Sequence, residues 1–145
     1  MIKYLWLFLL SAGIQAAPVT DAITDFKVLY TYDGDSFKID LPVAGCIYDV
    51  LCRDLMVRVI GIDTPEIRGA KCDEEKIKAL AARDFVSQLL GEAKTVQLTR
   101  VKRDGRFRLD AVVLVDGVDL ALIVINAGHG EFYSGKKART ANWCG

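Results

Sequence analysis

The chain has 145 residues, of which 52% are hydrophobic and 26% charged. That length suits one domain around a single core, and that hydrophobic content excludes a disordered chain. Lysine plus arginine equal aspartate plus glutamate at 19 each, which excludes a uniformly basic coat but not a local basic site on a neutral domain.

Residues 1–16 read as an export signal. Lys3 is the charged start, Tyr4 to Leu10 the apolar run, and Ser11, Ala12, Gly13, Ala16 and Ala17 the small residues that follow. Cleavage is expected after Ala16. The apolar run is short for a membrane span, and no cysteine stands at the cut to carry a lipid. Loss of the signal removes Lys3 and no acid, leaving a net charge of −1. The expected product is one exported domain, 17–145, periplasmic or secreted, monomeric and without membrane attachment.

Cys46, Cys52, Cys72 and Cys144 all follow the signal, and an even count in an exported chain reads as two disulfides. Three pairings are open. The favoured one closes a small loop with Cys46 and Cys52 and ties the C-terminus to mid-chain with Cys72 and Cys144. A zinc site is the weaker reading, because there is no C-x-x-C and His129 is the single histidine.

After a short arm at 17–24, residues 26–41 predict a hairpin. Phe26, Val28, Leu29 and Tyr30 lead to a turn at Asp33-Gly34-Asp35, then Phe37, Ile39 and Leu41 alternate with polar residues. Asp33-Gly34 is a turn signal; Asp35 opens the outgoing strand. Residues 42–54 are an excursion carrying two of the cysteines. Met56 to Glu66 reads as a strand ending in a charged turn: Val57, Val59, Ile60 and Ile62 are apolar and β-branched, Arg58 is the one charge within, and Asp63, Thr64 and Glu66 crowd around Pro65. A structural account has Arg58 pairing with Asp63 or Glu66; a functional one has the three charges gathered for a ligand.

Asp73 to Leu90 predicts a helix, with Asp73, Glu74 and Glu75 favoured by the dipole at its start and Gly91 as its stop. Its apolar face is expected to carry Ile77, Leu80, Ala81, Phe85, Val86, Leu89 and Leu90. A strand at 95–100 leads into the most basic stretch, Lys102, Arg103, Arg106 and Arg108 around Asp104-Gly105. A strand at 109–115, a turn at Asp116-Gly117 and a helix over 119–127 capped by Gly128 follow. His129 is expected at the surface, and the tail to Gly145 has no readable regular structure. The element count points to an α+β, mostly β fold: a five-stranded barrel of the oligonucleotide/oligosaccharide-binding (OB) type with two or three packed helices.

Asp33-Gly34-Asp35-Ser36, Arg58 followed by Ile62-Asp63-Thr64-Pro65-Glu66, Asp104 with Arg108, Asp116-Gly117 and Gly128 together resemble the staphylococcal (micrococcal) nuclease, or thermonuclease, family over about residues 26–128. The tail, with Tyr133, Gly135 and Trp143-Cys144, resembles its exported bacterial branch. The resemblance implies a calcium-dependent endonuclease that hydrolyses DNA and RNA, single- or double-stranded, with little sequence specificity and leaves 3′-phosphates. It implies Asp35, Asp63 and the Thr64 carbonyl as calcium ligands, with Asp33 just outside them. Glu66 would handle the attacking water, and Arg58 and Arg108 would grip the phosphate. The resemblance favours Arg108 over Arg106, because the family spaces this Arg nine residues before the Gly of the next turn and four after an Asp, as Arg108 stands to Gly117 and Asp104.

The chemistry asks for the same cast. A hard cation on oxygen ligands offsets phosphate charge, guanidinium groups hold two phosphate oxygens at once, and one carboxylate is left for the proton. This chain departs from the family at Ser36 (usually Thr), at Arg106 (a Tyr in the type enzyme), at Phe107 (usually Gly), in the cysteine loop, and in lacking the long final helix. The alternative is a catalytically inactive OB-fold module that binds nucleic acid or protein. Tyr30, Tyr32 and Tyr133 are candidates for base stacking or rim packing, and Lys136, Lys137 and Arg139 for a substrate strand or a solvated tail.

Overall fold

The computed structural model describes residues 22–42, 52–136 and 141–145. The expected export signal, Cys46, Lys137 and Arg139 lie outside the described residues.

Strands β1 (Lys27–Asp33) and β2 (Ser36–Asp40) form the expected hairpin, with Asp33 opposite Ser36 and Gly34-Asp35 as the turn. Phe37 and Ile39 are fully buried, as the alternation requires. β3 (Leu55–Val59) runs antiparallel to β2, with Leu55, Val57 and Val59 inward and Arg58 on the other face.

The stretch from Met56 to Glu66 is two strands rather than one. Gly61 adopts φ +92°, a conformation that glycine takes without a Cβ penalty, and there the chain leaves the large sheet. β4 (Gly61–Asp63) pairs instead with the C-terminal β8 (Glu131–Tyr133), a strand with no advance sign in the tail. The approach is tight. A Cβ on Gly130 would stand 2.7 Å from Ile62 Cδ1 and 3.1 Å from the Asp63 carbonyl.

Helix α1 (Asp73–Glu92) runs through Gly91, which does not stop it. Its buried stripe is Glu75, Ala79, Ala82, Val86 and Leu90, narrower and rotated from the expected face; Ile77 is 67% exposed. Two alanines on that stripe let the helix lie close to the hairpin turn. Cys72 caps the helix, its Sγ accepting from the Glu75 N–H at 3.3 Å, and is bonded to Cys144, with Cα atoms 6.1 Å apart. Cys52 is also disulfide-bonded.

β5 (Val96–Arg103) and β6 (Leu109–Val115) pair antiparallel, with a register shift between Thr99 and Lys102 where Arg100 takes φ +53°. Asp116 (φ +50°) and Gly117 (φ +84°) then turn the chain into the two-residue β7 (Val118–Asp119), as a type I′ hairpin demands. Asp119 caps α2 (Leu120–Asn126) through the Ala121 N–H. Gly128 and His129 donate to the Ile125 and Val124 carbonyls, the paired bonds of a Schellman ending. His129 is not simply a surface residue: its ring packs on Phe85, with centroids 4.7 Å apart.

Among the described residues the result is a mixed α+β arrangement with a six-stranded sheet, a two-stranded sheet and two helices. The main path is β1-β2-β3-β6-β5, with β7 beside β6 and β3 parallel to β6. The expected closed barrel is not formed by a continuous ladder, because that path is open. One isolated bridge, Ile23 to Leu98 with N···O distances of 2.8 and 2.9 Å, joins the segment before β1 to β5. The core lies inside the curved sheet under both helices, with Val57, Val59, Val86, Leu98, Val113, Leu120 and Val124 essentially inaccessible. Among the described residues no helix is long and apolar enough to cross a membrane.

Candidate active site

The hairpin turn, the end of β4 and α1 meet at one point, and the meeting depends on Gly34. Its φ is not in the left-handed region, so the glycine is not there for the turn. A Cβ at this position would stand 2.9 Å from both Ala82 Cβ and Thr64 Cγ2. The contact sets the turn that carries Asp33 and Asp35 against Thr64, the residue after Asp63. All are withdrawn from solvent: Asp35 is 5% exposed, Asp63 4% and Thr64 2%. Buried carboxylates cost free energy unless their charge is compensated.

Part of that compensation is internal. Arg58 Nη2 lies 3.4 Å from Asp35 Oδ2, with both side chains largely buried. Arg58 therefore reaches across to Asp35 on the hairpin, a partner outside its own stretch. The Asp35 carbonyl accepts the Val59 N–H at 2.9 Å, which fixes the turn against the end of β3. Asp33 does not reach outward; its Oδ1 accepts from the Ser36 hydroxyl and from the Asp35 N–H, holding the turn in shape.

Arg108 is built differently. In the 104–108 loop, Asp104 Oδ1 accepts the backbone N–H groups of Arg106 and Arg108 at 2.8 and 2.9 Å. Its Oδ2 takes Arg108 Nε at 2.8 Å and Nη2 at 2.7 Å. Burial works against charge on Asp104, but these bonds from Arg108 and Arg106 outweigh it and hold the carboxyl below its ordinary range. The guanidinium is thereby oriented, with Nη1 left for an incoming acceptor. Phe107 beside it is 75% exposed and takes φ +62°, a strained conformation for a bulky residue.

Arg58 and Arg108 line one cleft of about 1140 Å³, together with Arg100, Lys102, Arg106 and Lys136. Of the acids in its lining, Asp104 is already engaged by Arg108, and Asp110 stands opposite Arg58 across the ladder. The cleft is thus strongly cationic on a protein whose overall charge is balanced. Tyr133 lines it; Tyr32 instead lies under Arg68 and Tyr30 under Lys38. Arg100 has no sequence signal for this placement, since the β5 irregularity is what turns it.

Glu66 sits at the edge of the junction in the turn after β4. Its backbone N–H donates to Glu75 Oε1 at 3.4 Å, and Lys71 N–H donates to Oε2 at 2.6 Å. Glu75 was legible only as a dipole-favoured acid; in the fold it is buried under the 66–71 loop. Among the described residues no group of three or more His, Cys, Asp and Glu side chains forms a metal-holding cluster. Two buried carboxylates and a carbonyl are still the hard oxygen donors a calcium or magnesium ion takes, with water completing its shell.

No protein-family model matches the chain, and no curated protein matches it.

Proposed function

We propose that the protein is an exported, calcium-dependent endonuclease that hydrolyses phosphodiester bonds of DNA and RNA. The observation that carries this reading is the cationic cleft lined by Arg108 and by Arg58, whose guanidinium pairs with the buried Asp35. A cleft with that lining suits a polyanion, and a guanidinium group in it can bond two oxygens of one phosphate. The strand path, with β3 parallel to β6 and the Ile23–Leu98 bridge between its ends, supports an OB-type arrangement.

In this reading Asp35, Asp63 and the Thr64 carbonyl would hold the calcium ion, and Asp33 keeps the Asp35 turn in place. When bound, the ion supplies positive charge toward the phosphate and lowers the cost of activating water. Arg58 turns from Asp35 toward the scissile phosphate, and Arg108, held by Asp104, presents its remaining nitrogen to the same group. Glu66 accepts the proton of the attacking water. Attack that expels the 5′-oxygen leaves a 3′-phosphate.

The 104–108 loop favours a second reading. Arg108 is already engaged by Asp104, and Phe107 is strained beside it, which suits an inactive module that only binds nucleic acid or protein. Cleavage of single-stranded DNA by the oxidised mature protein, with calcium and with chelator, separates the two. Calcium-dependent cleavage lost in Arg108→Ala supports the nuclease, with a drop on the order of 10²–10³ for one lost transition-state contact. A folded protein that binds the strand and fails to cleave it with any divalent ion supports the module.

A further inference from the structure

We propose that Glu75 is a positioning residue that sets where Glu66 stands, an inference that rests on the nuclease reading for the role of Glu66. Glu75 is the buried acid of α1, 3% exposed, whereas its neighbours Asp73 and Glu74 face solvent. Favourable interaction with the helix dipole does not require burial; an acid in a first turn obtains it at the surface. Burying a carboxylate is unfavourable unless hydrogen bonds replace its water. Here both oxygens are occupied by backbone donors of one loop, Glu66 N–H at 3.4 Å and Lys71 N–H at 2.6 Å.

The two bonds span the 66–71 segment, which belongs to no helix or strand. They join its first and last residues to a single side chain. The base of that side chain is fixed in turn: the Glu75 N–H caps onto Cys72 Sγ, and Cys72 is covalently tied to Cys144. The disulfide, the helix start and the loop therefore form one chain of contacts that ends at the backbone nitrogen of Glu66. Fixing that nitrogen fixes the Cα from which the Glu66 carboxylate reaches the water. A carboxylate that takes a proton must be placed within a few tenths of an ångström to be useful, and a displacement of about 1 Å costs on the order of 10² in rate.

The test uses the full oxidised mature protein with Glu75→Gln, which keeps size and one acceptor, beside Glu75→Ala. Amide hydrogen exchange at Glu66 and Lys71 is followed alongside kcat and KM on a single-stranded oligodeoxynucleotide with calcium. The expected result is faster exchange at the Glu66 amide and a fall in kcat of about 10–100-fold with KM unchanged, smaller in the Gln variant than in the Ala variant. If the Ala variant fails to fold, the Gln variant alone decides. Unaltered kcat in Glu75→Gln with faster exchange at Glu66 overturns the positioning role, as does unaltered exchange at both amides. A parallel rise in KM, which a loosened cleft would give, overturns it too. Absence of calcium-dependent cleavage in the wild-type protein instead overturns the nuclease reading, and the exchange rates then report only whether the clamp exists.

Discussion

Replacing Gly34 by alanine adds one methyl at the point where the hairpin turn, Thr64 and α1 converge. The new carbon would sit 2.9 Å from Ala82 Cβ, 2.9 Å from Thr64 Cγ2 and 3.0 Å from Thr64 Cβ. Ordinary carbon contacts begin near 3.5 Å, so each neighbour must retreat by about half an ångström. None is the tip of a long side chain. Ala82 Cβ and Thr64 Cβ are anchored directly on backbone, so relief requires moving helix against turn. Overpacking of this kind costs about 1–3 kcal/mol, or a drop in Tm of roughly 3–12 °C for a domain of this size. The control is Gly91→Ala, within α1, where an added Cβ meets nothing within 4 Å; there the loss of glycine's backbone freedom should stabilise by about 0.5–1 kcal/mol. Urea unfolding of both variants against wild type gives the answer. A Gly34→Ala midpoint equal to or above that of wild type would refute the claim that this glycine exists for clearance. It would also weaken the argument that the helix holds Asp35 and Asp63 at one junction.

Two other outcomes follow from the same contacts. Asp104→Asn should destabilise by about 1–3 kcal/mol through the weakened bonds to Arg106 and Arg108. Because the folded carboxyl titrates below its ordinary value, that contribution is complete above about pH 3.9 and is lost as pH falls through the lower folded value. The gap between wild-type and variant urea midpoints should therefore close below about pH 3.9; a constant gap would show that ionisation of Asp104 is not its source. Cys72→Ala with Cys144→Ala opens a covalent loop of sequence separation 72, worth about 4 kcal/mol in the chain-entropy account. Equal denaturation midpoints for this double variant and the oxidised wild type would remove the staple from the account of stability.

Local readings survived where neighbours along the chain settle the outcome. The β1–β2 hairpin follows from strict alternation at Phe37 and Ile39. The Asp116-Gly117 turn and the Schellman ending at Gly128 need only a few consecutive residues. The disulfide between Cys72 and Cys144 agrees with the favoured pairing. Failures came where an element's meaning depends on a distant partner. Gly34 sits in the turn as expected, but its second role, clearance, is invisible in the sequence because Ala82 and Thr64 arrive from elsewhere. Gly91 looked like a stop, yet α1 continues past it.

The site divides the same way. Which residues carry charge beside apolar strand, Asp33, Asp35, Arg58, Asp63, Glu66 and Arg108, is written in the chain itself, since a strand delivering charge to its end is visible in one dimension. Which of them touch is not. Arg58 pairs with Asp35 because β3 lies beside the hairpin in one particular register, and a shift of one residue would turn Arg58 to the core. Arg100 and Lys136 join Arg108 in the cleft through a strand irregularity and a C-terminal strand that pairs with β4. Glu75 changes from a surface acid to a buried clamp only once the 66–71 loop folds over it. Sequence sets propensity and charge residue by residue; proximity between residues far apart in the chain is set by register and packing, which exist only when the whole domain closes on its core.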